Sequence, residues 1–215
     1  IFVPALAYGS QLAIGAIFVT LIYGILRFAN FATGDMMSFG TMIAILFTWY
    51  FQSIGLSLGF LPTALLAIPF AILFMGLYML IIDKFVFKYY RLNKSPPVQL
   101  AMVSIGVMFV TQAVVRIIIG PSDRRFFDGE KFLIKANEFK EMTGLNEGLA
   151  IKSTQVITIV VTIILVSTLF WFLNKTKTGK SMRAYSDNED LALLSGIDPK
   201  KIVMITWMIA AILAT

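Results

Sequence analysis

The sequence predicts an all-α fold, a polytopic integral membrane helical bundle with five full transmembrane segments plus the start of a sixth, and a short cytoplasmic helix between two spans. Three observations carry this. Of 215 residues, 58% are apolar and 14% charged, whereas a soluble domain carries about one-quarter charged residues to cover its surface. The mean hydropathy is +0.84. The charges fall in short stretches between apolar runs of roughly 20 residues, the length that crosses about 30 Å of hydrocarbon.

Taken in chain order, segment one runs from Leu6 to Leu26 and segment two from Met36 to Ile54. Segment three covers Phe60 to Ile82, segment four Val98 to Ile119, and segment five Leu149 to Leu173. Segment six begins at Ile202 and is still apolar at Thr215, and the chain opens at Ile1 without an initiator Met. Both ends are therefore expected to continue, and 1–215 reads as one transmembrane domain truncated at its C-terminus. No basic front region marks a cleavable signal peptide.

Lys and Arg in the connections set orientation. Asp83 to Lys94 carries Lys84, Lys88, Arg91 and Lys94, and the link after segment five carries Lys175, Lys177, Lys180, Arg183, Lys200 and Lys201. Two spans separate these links, so they share one side, and their basic character makes it the cytoplasm. The connection 120–148 is then external, although it holds Arg124, Arg125, Lys131, Lys135 and Lys140 balanced by acids. It reads either as a solvated loop or as a docking surface for an extracytoplasmic partner. The net charge of +6 belongs to this orientation pattern and not to a nucleic-acid-binding stripe.

Cys and His are both absent. Disulfides, thiolate metal sites and the commonest general base are thereby excluded. An intramembrane hydrolase needs an activated nucleophile or paired acids, and Ser104 has no evident base. The sequence also lacks a Gly-x-x-x-x-Gly-Lys-Ser/Thr run, so any nucleotide is bound by another chain.

Two places interrupt the apolar pattern informatively. At Arg27-Phe28-Ala29-Asn30-Phe31-Ala32-Thr33-Gly34-Asp35, an apolar run breaks and resumes at once. It is either a tight cytoplasmic turn or a helix break at membrane depth, of the kind from which transporters build substrate sites. Asp35 near the bilayer centre would cost about 3 kcal/mol and need a partner or a pore.

The second is the link 174–200. Ser186-Asp187-Asn188-Glu189 has the form of a capping box, and Asp187, Glu189 and Asp190 lie where a helix dipole favours negative charge. Leu191, Leu194 and Ile197 follow as one apolar stripe. Gly196 is suited to a C-terminal stop, and Asp198-Pro199 to the cap and first position of the next helix. The expected short helix either rests on lipid headgroups or inserts its stripe into a groove on a soluble partner.

These residues resemble a known family. The run Gly179, Arg183, Ala184, Asp187, Ala192, Leu194, Gly196, Ile197 is similar to the cytoplasmic coupling loop of branched-chain amino-acid ABC permeases, the LivH/LivM group. Asp190-Leu191-Ala192-x-x-x-Gly196 resembles the Glu-Ala-Ala-x-x-x-Gly core of importer permeases in general. Asn30-Phe31-Ala32-Thr33-Gly34-Asp35 is similar to the Asn-Phe-Ala-His-Gly-Asp/Glu signature of the LivH side, with Gly9-Ser10 and Tyr23-Gly24 upstream also fitting. Thr33 departs from the usual His, and Asp190 and Leu191 from the usual Glu and Ala.

The resemblance implies the permease subunit of a binding-protein-dependent ABC importer in the inner membrane, for branched-chain or related amino acids. It implies no catalytic residue, metal or cofactor on this chain, with ATP bound by partner ATPase subunits. Expected partners are two cytoplasmic ATPases gripping Asp187 to Ile197, a second permease subunit, an extracytoplasmic solute-binding protein and membrane lipid; nucleic acid is not among them. Asn30, Phe31, Gly34 and Asp35 become translocation-path candidates. A channel or secondary transporter for small polar solutes such as urea or amides is the alternative, but it needs ion or proton sites within the spans, where only Asp35 is placed to serve.

Overall fold

The computed structural model describes residues 2–56, 63–120, 132–134 and 151–215. In chain order these form α1 (Phe2–Leu26), α2 (Thr33–Ser53), α3 (Ala64–Ile82), a π turn (Asp83–Phe87), α4 (Lys88–Leu92) and α5 (Pro97–Ile119). Then follow α6 (Ser153–Lys175), α7 (Lys177–Asp187), α8 (Glu189–Leu194) and α9 (Pro199–Ala214). The helical architecture is as predicted, with one addition: β1 (Phe132–Ile134) pairs antiparallel with β2 (Ile151–Lys152). Segment five accordingly starts as a helix at Ser153, because Ile151 and Lys152 are extended in that ladder. Most of the expected external connection 120–148 lies outside the described residues.

Among the described residues, four helices are long and apolar enough to cross a membrane: Val3–Leu26, Ala64–Leu92, Pro97–Ile119 and Ser153–Lys175. The two other expected segments form α2 and α9, and neither joins that group. Thr33, Gly34, Asp35, Ser38 and Thr41 dilute the first half of α2, and α9 has 16 residues. Segment three also differs from expectation. Its helix does not end at Ile82 but runs through the π turn to Leu92, since Asp83 to Leu92 contains neither Gly nor Pro to stop it.

The helix α9 is the hub of the bundle, packing against α1, α2, α3 and α7. Its buried residues include Trp207, Ala210, Ala211 and Ala214. Small side chains matter here because lipid is as apolar as leucine, so helices associate in a membrane through close van der Waals fit and hydrogen bonds. By contrast α6 shows Val160, Ile163, Ile164, Phe170 and Trp171 on its outside, the apolar exterior that a bilayer solvates.

Candidate functional site

The break between α1 and α2 is a compact, internally satisfied turn. Arg27 has φ +60, a left-handed conformation uncommon for a residue with a side chain, and it turns the chain out of α1. Asn30 is buried, its Oδ1 accepting the Ala32 N–H at 3.0 Å. Its carbonyl accepts the Thr33 hydroxyl at 3.0 Å. An asparagine side chain closing on the backbone two residues ahead replaces the missing helical bonds. Thr33, standing where the LivH-type signature has His, thus closes the turn with its hydroxyl. The Phe31 N–H donates to Ser104 Oγ on α5 at 2.9 Å, while the Phe31 ring and Gly34 are exposed. Asp35 is half-buried in the first turn of α2, where the helix dipole favours its charge.

This break adjoins α7. The Arg27 guanidinium donates to the Asp187 carbonyl at 2.9 Å, and Ser186 Oγ donates to the Gly24 carbonyl at 2.5 Å. Ser104 lies seven residues into α5, about 10 Å along its axis from Pro97, so the break reaches inward from the end of the bundle that carries α7. An open recess lined by Tyr23, Gly24, Arg27, Pro97, Ser186 and Asp187 marks the junction.

The link 174–200 forms two helices where one was expected, and the expected capping box is absent. Ser186 lies within the last turn of α7, and its hydroxyl is taken by Gly24. The cap of α8 is Asn188, whose Oδ1 accepts the Leu191 N–H at 3.0 Å. Glu189 accepts a hydrogen bond from the Tyr185 hydroxyl at 2.9 Å instead of reaching back to Ser186. The physical reason is backbone conformation: Ser186 is still helical in the last turn of α7, whereas an N-cap residue must leave helical geometry, as Asn188 does. Asn188 is itself a preferred cap, and with it Glu189 and Asp190 still fall in the first turn.

The other boundaries follow the sequence reading. Gly196 has φ +80, with its N–H bonded to the Leu193 carbonyl and the Ile197 N–H to the Ala192 carbonyl, both at 3.0 Å. That pair of bonds is a Schellman motif. Asp198 Oδ1 accepts the Lys200 N–H at 2.9 Å, and Pro199 opens α9.

Two different faces result. Ala192 is buried, as are Met182 and Tyr185 on α7. Leu191 and Leu194 project outward at 61% and 85% exposure, while Ile197 is half-buried and so leaves the expected stripe. Asp190 and Ala184 are exposed, and Arg183 is exposed with a hydrogen bond to Asn174 Oδ1 at 2.9 Å. Gly179 is buried against the end of α6; a Cβ there would collide with the Phe172 carbonyl and lie 2.6 Å from Leu173 Cα.

Sequence reasoning missed a polar cluster just inside this end. Asp83 pairs with Arg91 at 2.7 Å and accepts from the Trp207 indole Nε1 at 2.7 Å. The rings of Trp207 and Phe87 stack at 5.7 Å, and Phe87 meets Phe28 at 5.1 Å. Reading Asp83 as the first residue of a cytoplasmic link hid it. The available signal was an acid directly after an apolar run, with an arginine two helical turns on. On α7, burial and then the bond and charge of Glu189 push the Tyr185 phenol above its ordinary value, with Arg91 and Arg27 opposing the shift. Among the described residues, no cluster of His, Cys, Asp and Glu has the makings of a metal site.

A family model described as branched-chain amino acid transport system / permease component matches residues 1–215. The chain is 26% identical over 210 residues to the high-affinity branched-chain amino acid transport system permease protein LivH of Escherichia coli (strain K12), covering 96% of this chain and 64% of that protein. LivH of Salmonella typhimurium matches to the same extent. BraD of Pseudomonas aeruginosa is 26% identical over 214 residues, covering 99% of this chain and 66% of that protein. The chain therefore spans about two-thirds of the length of these relatives. No solved structure matches. The chain belongs to the family of branched-chain amino acid transport system permease components and is a multi-pass protein of the inner membrane.

Proposed function

We propose that this chain is the permease subunit of a binding-protein-dependent ABC importer for branched-chain or related amino acids, driven by ATPases on separate chains. The observation that carries the reading is α8. It is a short helix capped at both ends, anchored through Ala192, yet it holds Leu191 and Leu194 out at 61% and 85% exposure. A firmly placed helix with exposed leucines fits a groove on a soluble partner, here a cytoplasmic ATPase. Gly179, Arg183, Ala184, Asp187, Asp190, Ala192, Leu194, Gly196 and Ile197 form the coupling loop in this reading. Relatives named for branched-chain amino acid transport supply the substrate class, and ABC importers pair two permease subunits with an extracytoplasmic solute-binding protein.

In the same reading α2 crosses the membrane as a further span and α9 begins the sixth, with α7 and α8 on the cytoplasmic side that Lys and Arg mark. Nucleotide-driven closure of the ATPases would move α7 and α8 as one of two arrangements. The bonds from Ser186 to Gly24 and from Arg27 to Asp187 would then pass that motion to the break at Asn30, Phe31, Gly34 and Asp35 beside the translocation path.

The test uses the full-length protein with its neighbouring subunits in liposomes, measuring ATP hydrolysis and labelled leucine uptake. Uptake that requires both ATP and loaded binding protein supports the importer. Leu194→Glu and Arg183→Glu should abolish uptake while the subunit still inserts. Normal uptake in both variants refutes the coupling assignment, and flux without any ATPase refutes the importer in favour of a channel or secondary transporter.

A further inference from the structure

A carboxylate sits inside a membrane-crossing helix of this chain, and its partners connect every element of the candidate site. Asp83 falls within the apolar span Ala64–Leu92. Its indole partner Trp207 lies eight residues past Pro199 on α9, about 12 Å up the axis from the first turn, and is fully buried. The carboxylate bonded to it is largely shielded, its side chain 14% exposed. A carboxylate shielded in this way is costly unless paired and hydrogen-bonded, so its partners matter.

Here the partners are Arg91, through two contacts at 2.7 and 2.9 Å, and Trp207 at 2.7 Å. A carboxylate satisfied from both sides in this way is a fixed bracket. The bracket spans a π turn, in which the Lys88 N–H reaches back to the Asp83 carbonyl. Such turns are rare and concentrate at functional sites, and they have a discrete alternative in the regular α-helix.

From this bracket, contacts run both ways. The helix α9 that carries Trp207 packs against α7, and Tyr185 on α7 holds Glu189 on α8 at 2.9 Å. Trp207 stacks on Phe87, Phe87 packs on Phe28, and Phe28 precedes Asn30 by two residues in the break. Two-state elements linked by packed and hydrogen-bonded contacts are the physical means by which distant sites bias one another.

We propose that Asp83, Arg91 and Trp207 are positioning residues, forming a joint around the π turn that ties the placement of α7 and α8 to the geometry of the α1–α2 break. This rests on the importer reading for its role in transport, but not for its structural content. Releasing the bracket uncouples the two ends without removing either.

Two measurements test it. In the full-length chain in liposomes, spin labels on cysteines at Asp190 and Ser38, both exposed, report the distance between α8 and α2. Asp83→Asn and Trp207→Phe should each broaden that distribution, Arg91→Lys should keep most of its sharpness by keeping the charge, and the Asp83→Asn, Trp207→Phe double variant should go no further than the worse single one. In the complete assembly, Asp83→Asn and Trp207→Phe should lower labelled leucine imported per ATP hydrolysed by roughly ten-fold, within the usual coupling range, with ATP hydrolysis within about two-fold of wild type. An unchanged distribution overturns the joint. So does a loss of uptake matched by an equal loss of hydrolysis and of thermal stability, which is what a purely structural ion pair would give. An unmodified assembly that imports no leucine refutes the importer reading instead, and the distance measurement alone then decides the joint.

Discussion

Replacing Gly179 with alanine should unseat α7. The added Cβ would meet backbone on α6: the Phe172 carbonyl, Leu173 Cα at 2.6 Å and the Leu173 carbonyl at 2.8 Å. No flexible side chain is there to yield, so the helices must separate until the 2.6 Å contact reaches about 3.5 Å. Gly179 lies three residues past the Thr176 corner, about 4.5 Å along the axis, so an opening of about 0.9 Å tilts α7 by roughly 11°. Over the length of α7 that tilt displaces Asp187 by about 3 Å, enough to break both the Ser186–Gly24 and Arg27–Asp187 hydrogen bonds. Residual strain and one neutral bond, with the exposed Arg27 bond discounted for solvent, come to about 2–4 kcal/mol. The chain has no cysteine, so spin labels at Tyr23 and Asp190 can follow the change directly. The Tyr23–Asp190 distance should lengthen by about 3 Å, and the thermal unfolding midpoint in detergent should fall. Gly106→Ala is the control, since nothing lies within 4 Å of a Cβ there, and alanine gains up to about 1 kcal/mol of helix propensity. An unchanged distance and midpoint in Gly179→Ala would refute the close-approach reasoning.

Ser104→Ala should leave the Phe31 N–H without its partner, costing about 1–3 kcal/mol and lowering leucine uptake; hydrogen exchange at Phe31 checks it, and continued protection of that amide would show that Ser104 is dispensable to the break. Asn188→Ala should weaken the start of α8 by about 1 kcal/mol and speed exchange of the Leu191 amide, while Ser186→Ala should loosen α7 from α1 and leave that amide protected. The opposite pattern would restore Ser186 as the cap.

Much of the fold was legible because its determinants are local. A run of apolar residues long enough to span hydrocarbon has to satisfy its own backbone, and a helix is the one local way to do so. Segments one, three, four and five are recovered as long apolar helices, displaced by a few residues at their ends except where segment three runs on from Ile82 to Leu92. Gly196, Asp198 and Pro199 were readable for the same reason: a left-handed stop and a proline start act on their immediate neighbours. The turn at Asn30 was legible as an interruption, but whether it faced water or protein was not. That depended on Ser104, 73 residues away.

Where local rules failed, a distant group had outbid them. Ser186 and Glu189 have the spacing of a capping box, yet packing keeps Ser186 helical at the end of α7, its hydroxyl donating to the Gly24 carbonyl 162 residues earlier, while the glutamate accepts from Tyr185. Asp83 sits beside lysines and reads as the start of a solvated link, yet Trp207, 124 residues later, draws it into the bundle with Arg91. The sequence alone determined that this chain lives in a membrane as a set of helices, and which short motifs end and start them, because length, apolarity and capping act within a few residues. The tertiary structure alone decided which polar groups meet at the end of the bundle that carries α7 and α8. Buried hydrogen-bonding groups must find partners wherever packing brings them, and no spacing along the chain records that choice.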